Sequence, residues 1–205
     1  MLKRIGYFII AALVLSACQN ISDKELTVLQ AQASKAQQLE AENSRLKSKE
    51  ASLTKTVDEL KTQLEQEITD HQAFVEKNAA GAVKVTMQQE ILFPSNSYQL
   101  NQIEAADILM KVASSLNQGD GTPNIRIVGH SDNLPIAKKW RSQFSDNWDL
   151  SARRAGEIAR YFIWGAGFPP ENITVSGRAD VEPVDTNDTK EGRERNRRIE
   201  IFIGE

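Results

Sequence analysis

Cysteine occurs once in the 205 residues, at Cys18, which excludes an intrachain disulfide and any CxxC metal pair. Histidine occurs twice, at His71 and His130, too few for a His-rich metal centre, and no cofactor is expected. Neither sign of charge dominates. Lys and Arg total 25 against 28 Asp and Glu, a formal net charge of -3, which gives no support to bulk binding of nucleic acid or an anionic membrane. Neither HExxH nor GxSxG occurs, so the metal and serine hydrolase patterns are missing. Proline and glycine are absent from Ser22 to Glu76. The apolar run from Ile5 to Ala17 falls short of the ~20 residues that span a bilayer comfortably.

What is present begins with that short run. Lys3 and Arg4 precede it, and Leu15-Ser16-Ala17-Cys18 closes it, the layout of a signal peptide with cleavage before the cysteine. The four residues resemble the lipobox of bacterial lipoproteins, in which the cysteine thiol carries diacylglycerol. A plain secretory signal or a short uncleaved anchor is the alternative. The resemblance implies a lipidated, palmitate-bearing Cys18, and Gln19 rather than Asp after it implies sorting to the outer membrane, periplasmic face. Two or more acyl chains hold a protein stably, because each buried CH2 contributes about 0.8 kcal/mol.

The proline-free segment is rich in Ala, Gln, Glu, Lys and Leu and reads as helix. Leu39, Leu46, Leu53 and Leu60 recur every seven residues; with these as d, the a positions are Ala36, Asn43, Glu50, Val57 and Leu64. Leucine at d with one Asn at a suits a parallel homodimeric coiled coil, although Glu50 and Glu67 are poor core residues. A single solvated helix, or one packed on the rest of the chain, is the other reading. At 1.5 Å per residue the helix would reach roughly 80 Å.

Downstream, Val83 to Phe93 alternates like a strand. Asn101 and Glu104 suit the start of a helix that puts Ala105, Ile108, Leu109, Val112 and Leu116 on one face, with Asn117 to Gly121 ending it. Asn124 to Gly129 is a second strand. Asn147 can cap a second helix, with Ala155, Ile158, Ala159 and Phe162 inward, and Ile173 to Gly177 and Ile199 to Ile203 are two more strands. The expected class is α/β: a two-layer β-α-β-α-β-β domain with a mixed sheet, preceded by the coiled-coil helix and the signal peptide. The expected division is 1–17 signal peptide, 18–21 lipidated N-terminus, 22–78 stalk, 79–82 hinge and 83–205 domain.

Three ordered motifs lie in that domain: Gly129-His130-Ser131-Asp132, then Asn147-Trp148-Asp149-Leu150-Ser151-Ala152-Arg153-Arg154-Ala155, then Gly192-Arg193-Glu194-Arg195-Asn196-Arg197-Arg198-Ile199-Glu200-Ile201. They resemble the motifs of OmpA-like peptidoglycan-binding domains, and the stretch from Asp132 through Leu134-Pro135-Ile136 to Trp148 resembles the flagellar-stator MotB branch. The resemblance implies non-catalytic recognition of the diaminopimelate residue of the wall's stem peptide, tethering membrane to wall. Asp132 would take the ammonium and Arg154 the carboxylate, with Asn147, Leu150, Ser151 and Arg197 completing the site. A zwitterion calls for one fixed anion and one planar cation.

The residues themselves separate the adjacent arginines. At about 100° per residue Arg153 lies opposite the apolar face of its helix, while Arg154 lies at the border, where its head can reach a cleft. Arg197 shares strand parity with Ile199, Ile201 and Ile203, so it is either an inward arginine paired with a buried acid or a site residue. His130 reads as a hydrogen-bonded structural residue, and Asn196 as a tie for its loop. Ala137 to Phe144, with Lys138, Lys139, Trp140 and Arg141, reads as a solvated loop rather than a glycan contact. His130, Ser131 and Asp132 are contiguous, which no catalytic relay can use, so an enzyme is not expected. The alternative is a stator-like, membrane-anchored wall-binding subunit, which would need a membrane helix carrying an ionisable residue.

Overall fold

The structure is a computed structural model describing residues 23–77, 82–95, 97–116 and 122–204. The signal segment, Cys18, the stop at Asn117 to Gly121 and hinge residues 79–81 lie outside the described residues. The chain divides into two units, Met1–Lys49 and Glu50–Glu205. Helix α1 (Asp23–Gln63) begins in the first and ends in the second. Its composition favours helix, and Asp23 and Glu25 in its first turn with Lys61 in its last suit the helix dipole.

The second unit is built on a five-stranded mixed sheet. After the short α2 (Glu65–Thr69), the strands are β1 (Ala73–Lys77), β2 (Val83–Gln88), β3 (Ile125–Gly129), β4 (Ile173–Gly177) and β5 (Arg198–Ile203), in the order β1-β2-β5-β3-β4. All neighbours are antiparallel except β3 and β4, which run parallel and are joined through helix α5 (Asn147–Arg160). Helix α4 (Glu104–Leu116) leads into β3, and two short helices, α3 (Gln89–Leu92) and α6 (Lys190–Asn196), precede α4 and β5.

Period-two alternation sets the core. Val83, Val85 and Met87 sit opposite Ile203, Ile201 and Ile199, and Ile125 and Ile127 continue that face. Against it pack Ile108, Leu109 and Val112 of α4 and Ala155 and Ile158 of α5, all buried. The two helical faces read from the sequence are therefore the ones that bury. Phe162 and Phe168 meet edge to face at 5.5 Å and close one end.

Three expectations need correction. The stalk does not stay helical to residue 78: the helix ends at Gln63, and Ala73–Lys77 is an edge strand paired with β2. Val57, Leu60 and Leu64, assigned to an intermolecular seam, are buried in this domain's own core, where a leucine contributes about 1.5–3 kcal/mol. Finally, the first strand stops at Gln88 rather than Phe93. Gln89–Leu92 turns as α3, so the order gains β1 and two short helices.

The other face of the sheet carries a buried charged cluster. Arg198 Nε donates to Glu200 Oε1 at 2.9 Å, and His130 Nε2 lies 3.3 Å from Glu200 Oε2. His130 is thus held structurally. Burial alone would push the Glu200 carboxyl up, but its bond with His130 and the charge of Arg198 outweigh that and hold it at about 2. Its folded value lies below the ordinary 4.5, so its stabilisation is complete above 4.5 and is lost as pH falls towards 2. Acid titration of the unfolding midpoint should show that loss in the native protein and a flatter profile in Glu200→Gln. Parallel profiles would show that Glu200 carries none of the acid sensitivity.

Candidate functional site

The site lies where β3 and β4 end and α5 begins. Two glycines allow that approach: a Cβ on Gly129 would lie 2.2 Å from the Ser151 carbonyl oxygen, and one on Gly177 would lie 2.6 Å from the Ala152 nitrogen. The first two turns of α5 can therefore rest directly on the strand ends. Asp146, not Asn147, caps the helix, its side chain accepting from the Asp149 N–H. Asn147 is the first helical residue. Its Nδ2 donates to the carbonyls of Asp132 at 3.1 Å and Leu134 at 3.0 Å, pinning the loop after β3.

That loop presents Asp132. Ser131 donates its hydroxyl to the Asp132 carbonyl, and Asp132 Oδ1 accepts from the Leu134 N–H at 3.0 Å, an Asx turn that fixes the side chain. Oδ2 accepts from Arg197 Nη1 at 2.8 Å. Arg197 also donates through Nε and Nη2 to Glu90 Oε1, at 2.8 and 2.7 Å. Burial works against the Arg197 cation, but these bonds to Asp132 and Glu90 prevail and raise its pKa. A carboxylate accepts about four hydrogen bonds, so Asp132 keeps capacity for an incoming ammonium.

Arg154 reaches the same cleft from the second turn of α5. It is 2 % exposed, and its guanidinium carbon lies 5.4 Å from the Phe93 ring centroid. Nε donates to the Ser97 carbonyl at 2.9 Å and Nη1 to Gln89 Oε1. Burial lowers its pKa to about 10, with Glu90 and Asp132 opposing the shift and Arg197 adding to it, so it is a cation at neutral pH. Nη2 and one Nη1 hydrogen remain for an end-on pair of bonds to a carboxylate. Its neighbour Arg153 is exposed and paired with Asp149 at 2.6 Å.

Asp132, Arg154, Asn147, Leu150 and Arg197 all line one cleft of about 510 Å³. Ser151 does not. It is fully buried beneath the helix, donating to the Trp148 carbonyl and accepting from the Ala179 N–H, so it joins α5 to the loop after β4. Both alternatives for Arg197 are realised, since it pairs with the buried Asp132 and also lines the cleft. Asn196 ties its loop through both ends of its amide, to Val184 and Asp185. Trp140 lines the cleft as well, from a 3-10 turn at Lys138–Trp140.

Gln89 and Glu90 were missed in the sequence. The signal was there: polar Gln88-Gln89-Glu90 breaks the strand alternation after Met87. His130 faces Glu200 while Ser131 bonds the Asp132 carbonyl, so these three neighbours form no proton relay. Among the described residues, no helix is long and apolar enough to cross a membrane.

A mixed sheet with helices on one face, and a polar cleft of opposed charges at its strand ends, define a two-layer α/β domain. The chain belongs to the OmpA family, whose model matches residues 92–197. It is 31% identical over 151 residues to motility protein B of Bacillus subtilis, covering 72% of this chain and 56% of that one. It is 35% identical over 117 residues to the outer-membrane lipoprotein YfiB of Pseudomonas aeruginosa, covering 57% of this chain and 64% of that one. The chain thus spans little more than half the length of these curated relatives. Among solved structures, the cell wall anchor of the T6SS from Pseudomonas aeruginosa is 36% identical with a TM-score of 0.61, over 71% of this chain and 96% of that one.

Proposed function

We propose that this protein binds peptidoglycan without cleaving it, gripping the diaminopimelate residue of the stem peptide, and so tethers an outer membrane to the cell wall. One observation carries the reading: Asp132 and Arg154, on different elements, meet in a single cleft with spare hydrogen-bonding capacity on both. The far end of diaminopimelate bears an ammonium and a carboxylate on one carbon. Asp132 accepts the first, and Arg154 Nη1 and Nη2 clamp the second. Asn147 holds the Asp132 loop in place, Leu150 lines the cleft, and Arg197 balances the Asp132 charge until the ligand arrives. Lysine in the same position would offer the ammonium and leave Arg154 unmatched. The likeness to proteins named as a cell wall anchor and an outer-membrane lipoprotein supports this reading. Co-sedimentation of the full chain with purified diaminopimelate-type wall tests it. Equal pelleting with lysine-type wall would remove the stem-peptide specificity.

The membrane end of the tether is the lipid on Cys18, supported by Leu15-Ser16-Ala17-Cys18. Cys18→Ser should move the protein from the membrane fraction to the soluble periplasm. A mature N-terminus that still carries residues 1–17 would instead favour a stator-like subunit, the reading suggested by the motility protein B likeness.

A further inference from the structure

From Asp23 to Lys49 every residue of α1 is exposed, its leucines included: Leu29 is 51%, Leu39 50% and Leu46 56% accessible. The same heptad further on is satisfied at home, with Val57, Leu60 and Leu64 buried and Leu53 packed against them. One repeat therefore meets two surroundings, and the leucines of its first half are left exposed. We propose that the segment from Leu29 to Lys49 pairs with the same segment of a second copy, parallel and in register, and that this seam ends where Leu53 turns to its own domain.

The flanking charges select that occupant. Continuing the frame, Lys35 and Glu42 fall at g, and Glu40 and Lys47 at e. In a parallel in-register pair each g residue faces the e residue of the partner's next heptad, so Lys35 meets Glu40 and Glu42 meets Lys47. Twofold symmetry gives each attraction twice. Asn43 meets Asn43, where two amides can bond each other. The antiparallel arrangements do worse. One register sets Glu42 against Glu42 and Lys35 against Lys49. Sliding by a heptad repairs those charges but sets Leu39 against Glu50 and Asn43 against Leu46, an acid and an amide left facing leucine. A foreign helix would have no reason to be met by a self-complementary pattern.

Disulfide trapping in the full chain, with Cys18→Ser removing the native thiol, reads this directly. Leu39→Cys should form a covalent dimer under mild oxidation at least about tenfold faster than Ser48→Cys on the outer face, because only the seam raises the local thiol concentration. In either antiparallel register residue 39 does not face itself. In the Leu39→Cys background, Glu40→Lys with Glu42→Lys should each oppose like charges and lose that advantage; so should Lys35→Glu with Lys47→Glu. Mixing the two chains should restore trapping as a heterodimer. All these positions are exposed, so no core contact is lost. Trapping at residue 39 no faster than at residue 48, or trapping indifferent to the charge changes, would overturn the pairing. Wall binding is read separately, since a monomer with an intact cleft still pellets.

Discussion

Arg154→Ala should abolish pelleting with purified wall, and Asp132→Ala should do the same. Truncating one partner of a buried, hydrogen-bonded charge pair costs about 2–5 kcal/mol, roughly 30-fold to several thousandfold in affinity. Arg154→Ala also strands the Gln89 amide oxygen and the Ser97 carbonyl, each bonded to the guanidinium. Buried groups left unsatisfied cost about 1–3 kcal/mol each, so the alanine variant should be less stable as well as inactive. Two gentler changes separate those effects. Asp132→Asn keeps an oxygen for the Leu134 N–H but removes the anion. Arg154→Lys keeps the charge but loses the planar pair of donors. Both should lose less stability than the alanine variants and still fail to pellet; if both pellet normally, the ligand is held elsewhere.

Gly129→Ala should be strongly damaging for a change of one methyl group. The added Cβ would sit 2.2 Å from the Ser151 carbonyl oxygen and 3.0 Å from its carbon, so backbone meets backbone and no side chain can yield. Overpacking generally costs about 1–3 kcal/mol, occasionally more, and a contact with no flexible partner belongs at the top of that range. Relief requires α5 to lift from β3, which carries Asn147 and Arg154 away from Asp132. Stability and wall binding should therefore fall together. Gly156→Ala in the same helix is the matched comparison. Its Cβ would meet nothing nearer than Arg160 Nη1 at 3.8 Å, so helix propensity should raise stability by about 0.5–1 kcal/mol. Urea midpoints moving in opposite directions support this account of the β3–α5 contact. A Gly129→Ala midpoint at the wild-type value would sink it.

The helices α4 and α5 were legible because an amphipathic face repeats every 3.6 residues whatever it packs against, and Ile199, Ile201 and Ile203 were legible through period two. The same geometry distinguished exposed Arg153 from buried Arg154. Strand β1 was not legible. Ala73-Phe74-Val75-Glu76-Lys77 follows a helix-rich stretch with no proline or glycine before it, and its pairing with β2 depends on residues beyond it in the chain. Gln89, whose side chain holds Arg154 and whose N–H holds the Arg197 carbonyl, was hidden for a related reason. Its partners lie more than sixty residues away. Ser151 misled in the opposite sense: it belongs to a site motif, yet its hydroxyl secures the helix that carries the site.

The amino-acid sequence by itself determined the amphipathic helices, their inward faces and the chemistry on offer, because propensity and periodicity act over a few residues. Which surface each face would meet was left to the tertiary structure. A leucine at Leu60 gains the same free energy on leaving water whether it enters its own domain's core or another chain's, so no local pattern could choose between them. Likewise, Asp132 and Arg154 are an acid and a base like any others until two strand ends and one closely seated helix bring them to the same cleft.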